Sequence, residues 1–486
     1  MRPKLRFLDQ ELLDQIIAEA VHILCTLGVD VHNDEVLSLL ADSGAEVDMQ
    51  AHHVIFQERH IQQALSTVPK DFKLYDVRGR ETHHFIDDKV HFTPGSAAVN
   101  YLDYDTQTAR QPTTADYVDY VKVTSRLKYI AAQSTAFVPA DVHEQIADSY
   151  RLFLNLLYGE KPVVTGAFTV DSFTVMKNLQ LAVRGSDNEL RDKPLTIFSC
   201  CPTSPLKWSD VTSQNVIDCA RSNIPIELIA MPLSGFIAPV TLTGTLIQHT
   251  AESLSGIVLS QIANPGAPVL YGGSPAIFDV RYEMPPMGAV ESMMIACGYA
   301  EIGKHLGLPT QAYTALSDAK LLDAQAGLET SMGATMAALT GINSISGPGL
   351  FDYENCFCME KLIVDHEICG MTKRMIDGIE PKEDFPSIPI MQELLKERHL
   401  LIADHSRKYL RDEHYFPGPT LTRANRERWL NEGASTIGER AHAEALRHLE
   451  EYKPSHLPDG NKQELIDVMT AEAKRFGQDD LPDRQD

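Results

Sequence analysis

Short runs of β-branched and aromatic residues recur through the middle of this chain at intervals of roughly 30 to 45 residues, each followed by a stretch of helical periodicity. This alternation is the signature of a parallel sheet built from strand–helix units. The runs are HFTPG near His91, IAAQSTAFV from Ile130, PVVTGAF from Pro162 and LTIFSCC from Leu195. They continue with IPIELIAMP from Ile224, PVLYGGS from Pro268, PTQAYTA from Pro309 and INSISGPG from Ile342. Helical stretches start near Thr113, Asp141, Asp171, Ser209, Thr243, Gly288, Ser317 and Glu354. Eight strands alternating with eight helices predict an α/β fold, a (β/α)8 TIM barrel with helical N-terminal and C-terminal extensions. An open dinucleotide-binding sheet is disfavoured, because no GxGxxG joins a strand to a helix and no P-loop is present.

The flanks read differently. Leu13, Ile16, Ile17, Ala20 and Leu24 share one helical face that stops at Gly28, and further helices fit Asn33 to Gly44 and Glu58 to Leu65. From Pro389 onward the pattern is helical again, and GQDDLPDRQD reads as an acidic frayed tail. The expected organisation is a helical segment over 1–70, a barrel over 71–380 and a helical extension over 381–486 packed on the barrel.

A formal net charge of −24 argues against nucleic-acid binding, which needs a basic stripe, and against attraction to anionic lipid. A cation suits this field better. No signal peptide and no apolar run of about 18 residues is visible, and eight scattered cysteines read as reduced thiols, so a cytoplasmic protein is expected.

In such a barrel the active site lies at the C-terminal ends of the strands. The loops there are rich in small residues and proline, with Phe137, Phe168, Phe236, Tyr271, Tyr313 and Phe351 beside them. Aromatic faces can surround an amine cation, at roughly 0.5 to 2 kcal/mol per ring. The competing reading is turn chemistry and core filling. Ser317, Asp318, Lys320, Asp323, Gln325 and Glu329 form the densest polar cluster, and Gln325 and Glu329 share a helix face. Ser317 with Asp318 could equally be a helix start. Glu252 lies in an otherwise apolar helix, as a functional carboxylate or a salt-bridge partner. The substrate-binding candidates are Phe168, Tyr271, Tyr313, Asp318, Lys320, Gln325 and Phe351, with Lys320 the cation for a substrate carboxylate; no catalytic residue is singled out. Cys356, Cys358, His366 and Cys369 have no closed zinc-ligand spacing, nor has the Cys200–Cys201 pair, so no metal is expected. No GxSxG follows a strand, which disfavours a serine hydrolase.

Several long stretches together resemble the trimethylamine methyltransferase family: AESLSGIVLSQIANPGAPVLYGGSP (251–275), SDAKLLDAQAGLETSMGATMAALTGIN (317–343) and EKLIVDHEICGM (360–371). The resemblance extends to IIAEAVHILCTLGVDVHNDEVLSLLADSGAEVD, RQPTTADYVDYVKV, KPVVTGAF and AHAEALRHLEEYKPSHLPD. It implies a corrinoid-dependent methyltransferase of methanogenesis-related one-carbon metabolism. Such an enzyme passes a methyl group from a methylated amine to the cobalt of a separate corrinoid protein and binds no cofactor tightly itself. Trimethylamine-using members carry pyrrolysine in the barrel, which this sequence lacks. The SGPGLFDYENC loop is the neighbourhood to inspect for the equivalent position. Pyrrolysine-free members are associated with quaternary amines such as glycine betaine, the substrate expected here. A homo-oligomer is expected by analogy with other large barrels. The alternatives are a non-catalytic betaine-binding sensor and a barrel lyase or mutase holding cobalamin itself.

Overall fold

In the computed structural model, which describes residues 1–484, eight short strands line up side by side: β1 (His91–Thr93), β2 (Gln133–Ser134), β3 (Val163–Thr165), β4 (Thr196–Cys200), β5 (Ile226–Leu228), β6 (Val269–Leu270), β7 (Gln311–Tyr313) and β8 (Ser344–Ser346). Parallel ladders join β2 to β3, β3 to β4, β4 to β5 and β5 to β6. The same pairing joins β7 to β8 and β8 to β1. Single parallel bridges, Tyr271 with Thr310 and Phe92 with Ile130, complete the ring. The eight strands thus close a parallel barrel, and all eight runs predicted from sequence supply one strand each.

A helix follows every strand: α1 (Thr114–Arg126), α2 (Ala147–Tyr158), α3 (Ser172–Arg184), α4 (Asp210–Ser222), α5 (Leu242–Ala263), α6 (Val290–His305), α7 (Ala324–Thr340) and α8 (Met359–Ile376). Local chemistry sets their starts. Thr113 and Asp116 make a reciprocal capping box on α1, and Ser209 Oγ accepts from Thr212 N on α4. Three starts differ from the sequence expectation. The helix expected from Asp141 begins at Ala147, after a 3-10 turn over Glu144–Ile146; Asp323, not Ser317, caps α7; and a hairpin of Leu350–Phe351 with Cys356–Phe357 precedes α8. Residues 317–323 are therefore a loop over the barrel mouth.

The barrel floor is closed by a hairpin, Phe72–Tyr75 with Glu81–Phe85. Its Leu74 and Phe85 form one apolar cluster with Val164, Ile197 and Leu270 from the strands. The His83 and His91 rings meet beside it, centroids 4.5 Å apart.

The N-terminal segment is not purely helical. Val29–Val31, Glu46–Asp48 and His53–Ile55 pair antiparallel, and Lys207–Trp208 from the loop after β4 adds a parallel edge. Three-residue strands leave too little periodicity to be read in sequence. At the other end, helices Ile437–Glu450 and Asp459–Arg475 pack on the barrel's outer helices. Helices Ile388–Glu397 and Asp404–Glu413 bury no residue, and the second is tied to α8 at its end, where Arg374 donates to Glu413. Of the expected frayed tail, Gln485 and Asp486 lie outside the described residues. Among the described residues no helix is long and apolar enough to cross a membrane.

Candidate active site

Strand pleating assigns alternate residues to the barrel interior. Leu228 packs outward against α5 at Gly256, so its neighbour Glu227 faces inward, paired with Ser199 on the adjacent strand. On the opposite side, Gln311, Tyr313, Ser344 and Ser346 share the face of His91, whose ring meets the floor hairpin. The interior is therefore apolar at the floor and polar toward the C-terminal mouth.

Several of these polar groups are buried without a partner. Ser199 Oγ donates to Glu227 Oε1 at 2.7 Å, while Glu227 Oε2 has none. Gln311 Oε1 accepts from Gly273 N at 3.2 Å, and its Nε2 is unpaired, as is Ser346 Oγ. A buried polar group left unpaired costs about 1 to 3 kcal/mol, so a cluster of them marks a place built to receive a polar or charged ligand. Burial pushes the Glu227 carboxyl up to about 7, against the pull of the Ser199 bond.

A second carboxyl reaches the mouth from above. Asp352, Tyr353 and Glu354 all have positive φ, at 51°, 56° and 68°. Three successive non-glycine residues in this region are strained and persist only where the surroundings fix them. Here Asp352 N donates to Ala319 O, Lys320 Nζ pairs with Asp352 at 3.1 Å and lies 4.0 Å from the centroid of Tyr353, and Ser274 Oγ donates to Glu354 at 3.2 Å. The bend turns Glu354 toward the mouth, and burial pushes its carboxyl up to about 7. Tyr313 lies within the field of both Glu227 and Glu354, and burial together with those charges drives its phenol well up. Among the described residues no basic side chain pairs with Glu227, Glu354 or Asp318. The interior thus offers two carboxyls and an aromatic ring to a cation. Burial raises the Cys201 thiol to about 12, which removes it as a nucleophile at neutral pH.

The residues singled out from sequence divide. Tyr313 lies where expected. Asp318 sits at the rim, accepting from Met287 N at 3.1 Å and Gly288 N at 2.7 Å, so it fastens the loop after β6 and is no helix start. Burial, with Glu329 nearby, raises it to about 6. Glu329 accepts from Ser317 Oγ at 2.6 Å and Asp318 N at 2.8 Å. Gln325 is exposed and donates to Glu329 Oε1. Glu329 reaches the rim because α7 packs closely there: a Cβ on Gly333 would lie 1.9 Å from Thr314 O. Lys320 is spent on Asp352 and Tyr353 and does not stand as a free cation. Phe168 is at the rim after β3, with one face under the Arg151 guanidinium at 4.5 Å. Tyr271 points away from the mouth: its hydroxyl donates to Thr250 of α5, and its ring packs on Gly303 of α6. Leu270 faces inward, so pleating turns Tyr271 out. Phe351 is buried in a satellite cluster with Leu102, Ala319 and Ala326, not in the mouth. Glu252 is buried and holds the loop after β4 through Ser204 Oγ and Leu206 N. No three metal-ligating side chains come together among the described residues.

Sequence reasoning missed Glu227, Ser199, Gln311 and Glu354. A signal for Glu227 existed: a lone carboxylate at the centre of IPIELIAMP, a fully buried strand. For Glu354 there was none, because its place depends on a strained loop.

Glu227 and Glu354, both raised by burial, and Tyr313 thus lie at the C-terminal end of a closed eight-stranded parallel barrel, the end where (β/α)8 enzymes carry their active sites. Residues 1–477 match the family described as trimethylamine methyltransferase (MTTB). The chain belongs to this family and is a methyl-transferring enzyme. It is 28% identical to trimethylamine methyltransferase MttB of Desulfitobacterium hafniense, over 97% of this chain and 94% of that protein. It is 32% identical to MttB2 of Methanosarcina mazei, covering 82% and 83%. A glycine betaine methyltransferase of Desulfitobacterium hafniense is 26% identical over 98% and 99%. The crystal structure of the Methanosarcina barkeri monomethylamine methyltransferase superposes with a TM-score of 0.54 at 13% identity, covering 93% of this chain and 89% of that one, which speaks for the fold.

Proposed function

We propose that this enzyme takes a methyl group from a quaternary amine, glycine betaine being the example the resemblance suggests, and delivers it to the cobalt of a separate corrinoid protein. The observation that carries the reading is the inward Glu227, buried with one oxygen unpartnered, near Tyr313, whose phenol also lies in the field of Glu354. A fixed cation satisfies this constellation without needing a proton. Its departure as a neutral tertiary amine asks for no general acid, in keeping with a site where Cys201 is inert and no base–nucleophile pair is assembled. A reduced corrinoid supplies the nucleophile.

The chain's own residues hold and orient. Glu227 and Gln311 fix the head group from below, Tyr313 presents a ring to it, and Glu354 closes over it from the strained loop. The site must not grip the cation so strongly that its loss on methyl transfer raises the barrier, since uniform ground-state binding does not accelerate a reaction. Carboxyls poised near neutrality meet that condition, because each can take up a proton as the positive charge leaves. Exposed apolar residues at the rim, among them Met231, Phe236, Val280 and Tyr282, offer a face for the methyl-accepting protein.

The test is a panel of methylated amines presented with reduced corrinoid protein, following conversion of cobalt(I) to methyl-cobalt(III) by absorbance. At least one quaternary amine is expected to transfer. Failure of every amine, with binding intact, overturns the reading.

A further inference from the structure

The amide of Gln311 has one end fixed and the other free, and the sequence just past β6 is the reason. Leu270 faces the barrel interior and Tyr271 the helix layer, so the next residue, Gly272, faces inward again. The bridge of Tyr271 with Thr310 sets it beside Gln311. A Cβ on Gly272 would lie 2.4 Å from Gln311 Oε1 and 3.0 Å from Gln311 Cβ. The missing side chain lets the glutamine lie across this strand, where its Oε1 accepts from Gly273 N at 3.2 Å. The atom beside a backbone N–H must be the carbonyl oxygen, so the amide has only one orientation. Its other end, Nε2, is therefore a donor fixed in place, fully buried and without a partner.

A second such group lies nearby. Ser346 is on β8, level with Tyr313 and on the same inward face, and its buried hydroxyl is unpartnered too. Across the interior, on β5, stands the unpartnered Glu227 Oε2. The barrel thus presents an acceptor from one wall and donors from another.

A quaternary nitrogen has no hydrogen to give and no lone pair to accept with. It answers the charge of Glu227 and does nothing for Gln311, whose N–H dipole turns its positive end toward the ligand. A ligand that was only a cation would shut Nε2 away unpaired, at the cost of a buried donor left unsatisfied. An oxygen on the same molecule removes that cost, and sites built around such a donor discriminate strongly against ligands lacking the oxygen.

We infer that Gln311 Nε2, together with Ser346 Oγ, receives an oxygen of the substrate, a carboxylate or a hydroxyl, so that the enzyme selects quaternary amines carrying such an oxygen over bare tetraalkylammonium ions. This rests on the quaternary-amine reading of the site. Neutral donors serve either kind of oxygen, and Lys320, the cation that would have specified a carboxylate, is bonded to Asp352. A carboxylate does not meet two fixed negative charges, because burial raises Glu227 and Glu354 to about 7 and either can hold a proton. Only β6 separates β5 from β7, two strand spacings of about 4.8 Å each, so the oxygen belongs within a few bonds of the nitrogen.

The experiment is titration calorimetry with tetramethylammonium, choline and glycine betaine on the wild type, Gln311→Met and Ser346→Ala. In the wild type, choline, glycine betaine or both should bind at least about 10-fold more tightly than tetramethylammonium. Which of the two does so identifies the oxygen as hydroxyl or carboxylate. Gln311→Met should weaken the oxygen-bearing ligand more than tetramethylammonium, so that the preference collapses. If Gln311 serves only to hold Gly273, all three ligands weaken alike, and that result overturns the inference. Ser346→Ala leaves the Gly273 bond in place and should reduce the preference in the same sense if Gln311→Met perturbs folding. A preference kept intact in the folded variants also overturns the inference. A wild type that binds all three equally overturns it while the quaternary-amine reading stands, and one that binds none of them overturns both.

Discussion

Ser199 Oγ donates to Glu227 Oε1 at 2.7 Å across two adjacent parallel strands, and this bond leaves Oε2 of the same buried carboxyl without a partner. The pairing aims the carboxyl: one oxygen is anchored in the wall, and the other is turned toward the barrel interior. The serine lowers the carboxyl's tendency to hold a proton while burial raises it, and burial prevails, at about 7.

Replacing Glu227 by Gln keeps the Ser199 bond and removes the charge. Affinity for a quaternary ammonium should fall by about 10- to 100-fold, the range for losing one charge-assisted contact of about 1.5 to 3 kcal/mol. Titration calorimetry reads this directly. Unchanged affinity would remove Glu227 from the site.

The same carboxyl makes binding depend on pH. A cation favours the ionised form, so affinity should rise as pH increases through about 7, with proton release on binding. Calorimetry in buffers of different ionisation enthalpy counts that proton. In Glu227→Gln the pH dependence should flatten, leaving what Glu354 contributes.

Stability of the free enzyme should run the other way. Glu227 is protonated in both folded and unfolded states below its ordinary value of 4.5. Between there and about 7 the unfolded chain ionises first, so the folded state loses stability as pH rises, by up to roughly 3 kcal/mol for this group. Melting should therefore be lower at about pH 8 than at about pH 5.5, and Glu227→Gln should recover much of the difference. A melting temperature that climbs with pH equally in both proteins contradicts this account.

Tyr313→Leu removes the one ring of the expected cage that reaches the interior. Binding or transfer of any quaternary amine should weaken by up to about 2 kcal/mol, while Tyr271→Leu, in the helix layer, should act through stability alone. Transfer kinetics beside thermal melts separate the two. Lys320→Met should affect betaines and choline-like amines alike, because its charge is already committed to Asp352.

The loop bearing Glu354 depends on a buried pair in α8. Lys361 Nζ bonds Asp365 and, at 2.9 Å, Thr330 Oγ1, while Asp365 Oδ2 accepts from Gly349 N at 2.8 Å. Lys361→Met leaves an uncompensated buried carboxylate and should cost about 3 to 5 kcal/mol in denaturant unfolding.

The fold was legible because each of its signals is local. A buried strand such as PVVTG declares itself by composition, a cap such as Thr113 with Asp116 by spacing, and eight repeats of the pair leave little choice but a closed barrel. The long family resemblance was legible for the same reason, being carried by contiguous residues. The site was not. Tyr271 and Tyr313 look alike in sequence, each near the end of an apolar strand, and only the register across the barrel wall decides that one enters the mouth and the other the helix layer. A side chain's direction in a strand has a period of two, so a shift of one residue inverts it, and the inward set is fixed by pairing with strands distant in sequence, as Phe198 is with Ile226, Ile226 with Val269 and, where the ring closes, Ser344 with His91. Glu354 went further still: its position comes from three strained residues held by Ala319, Lys320 and Ser274, partners brought there only when the chain closes on itself.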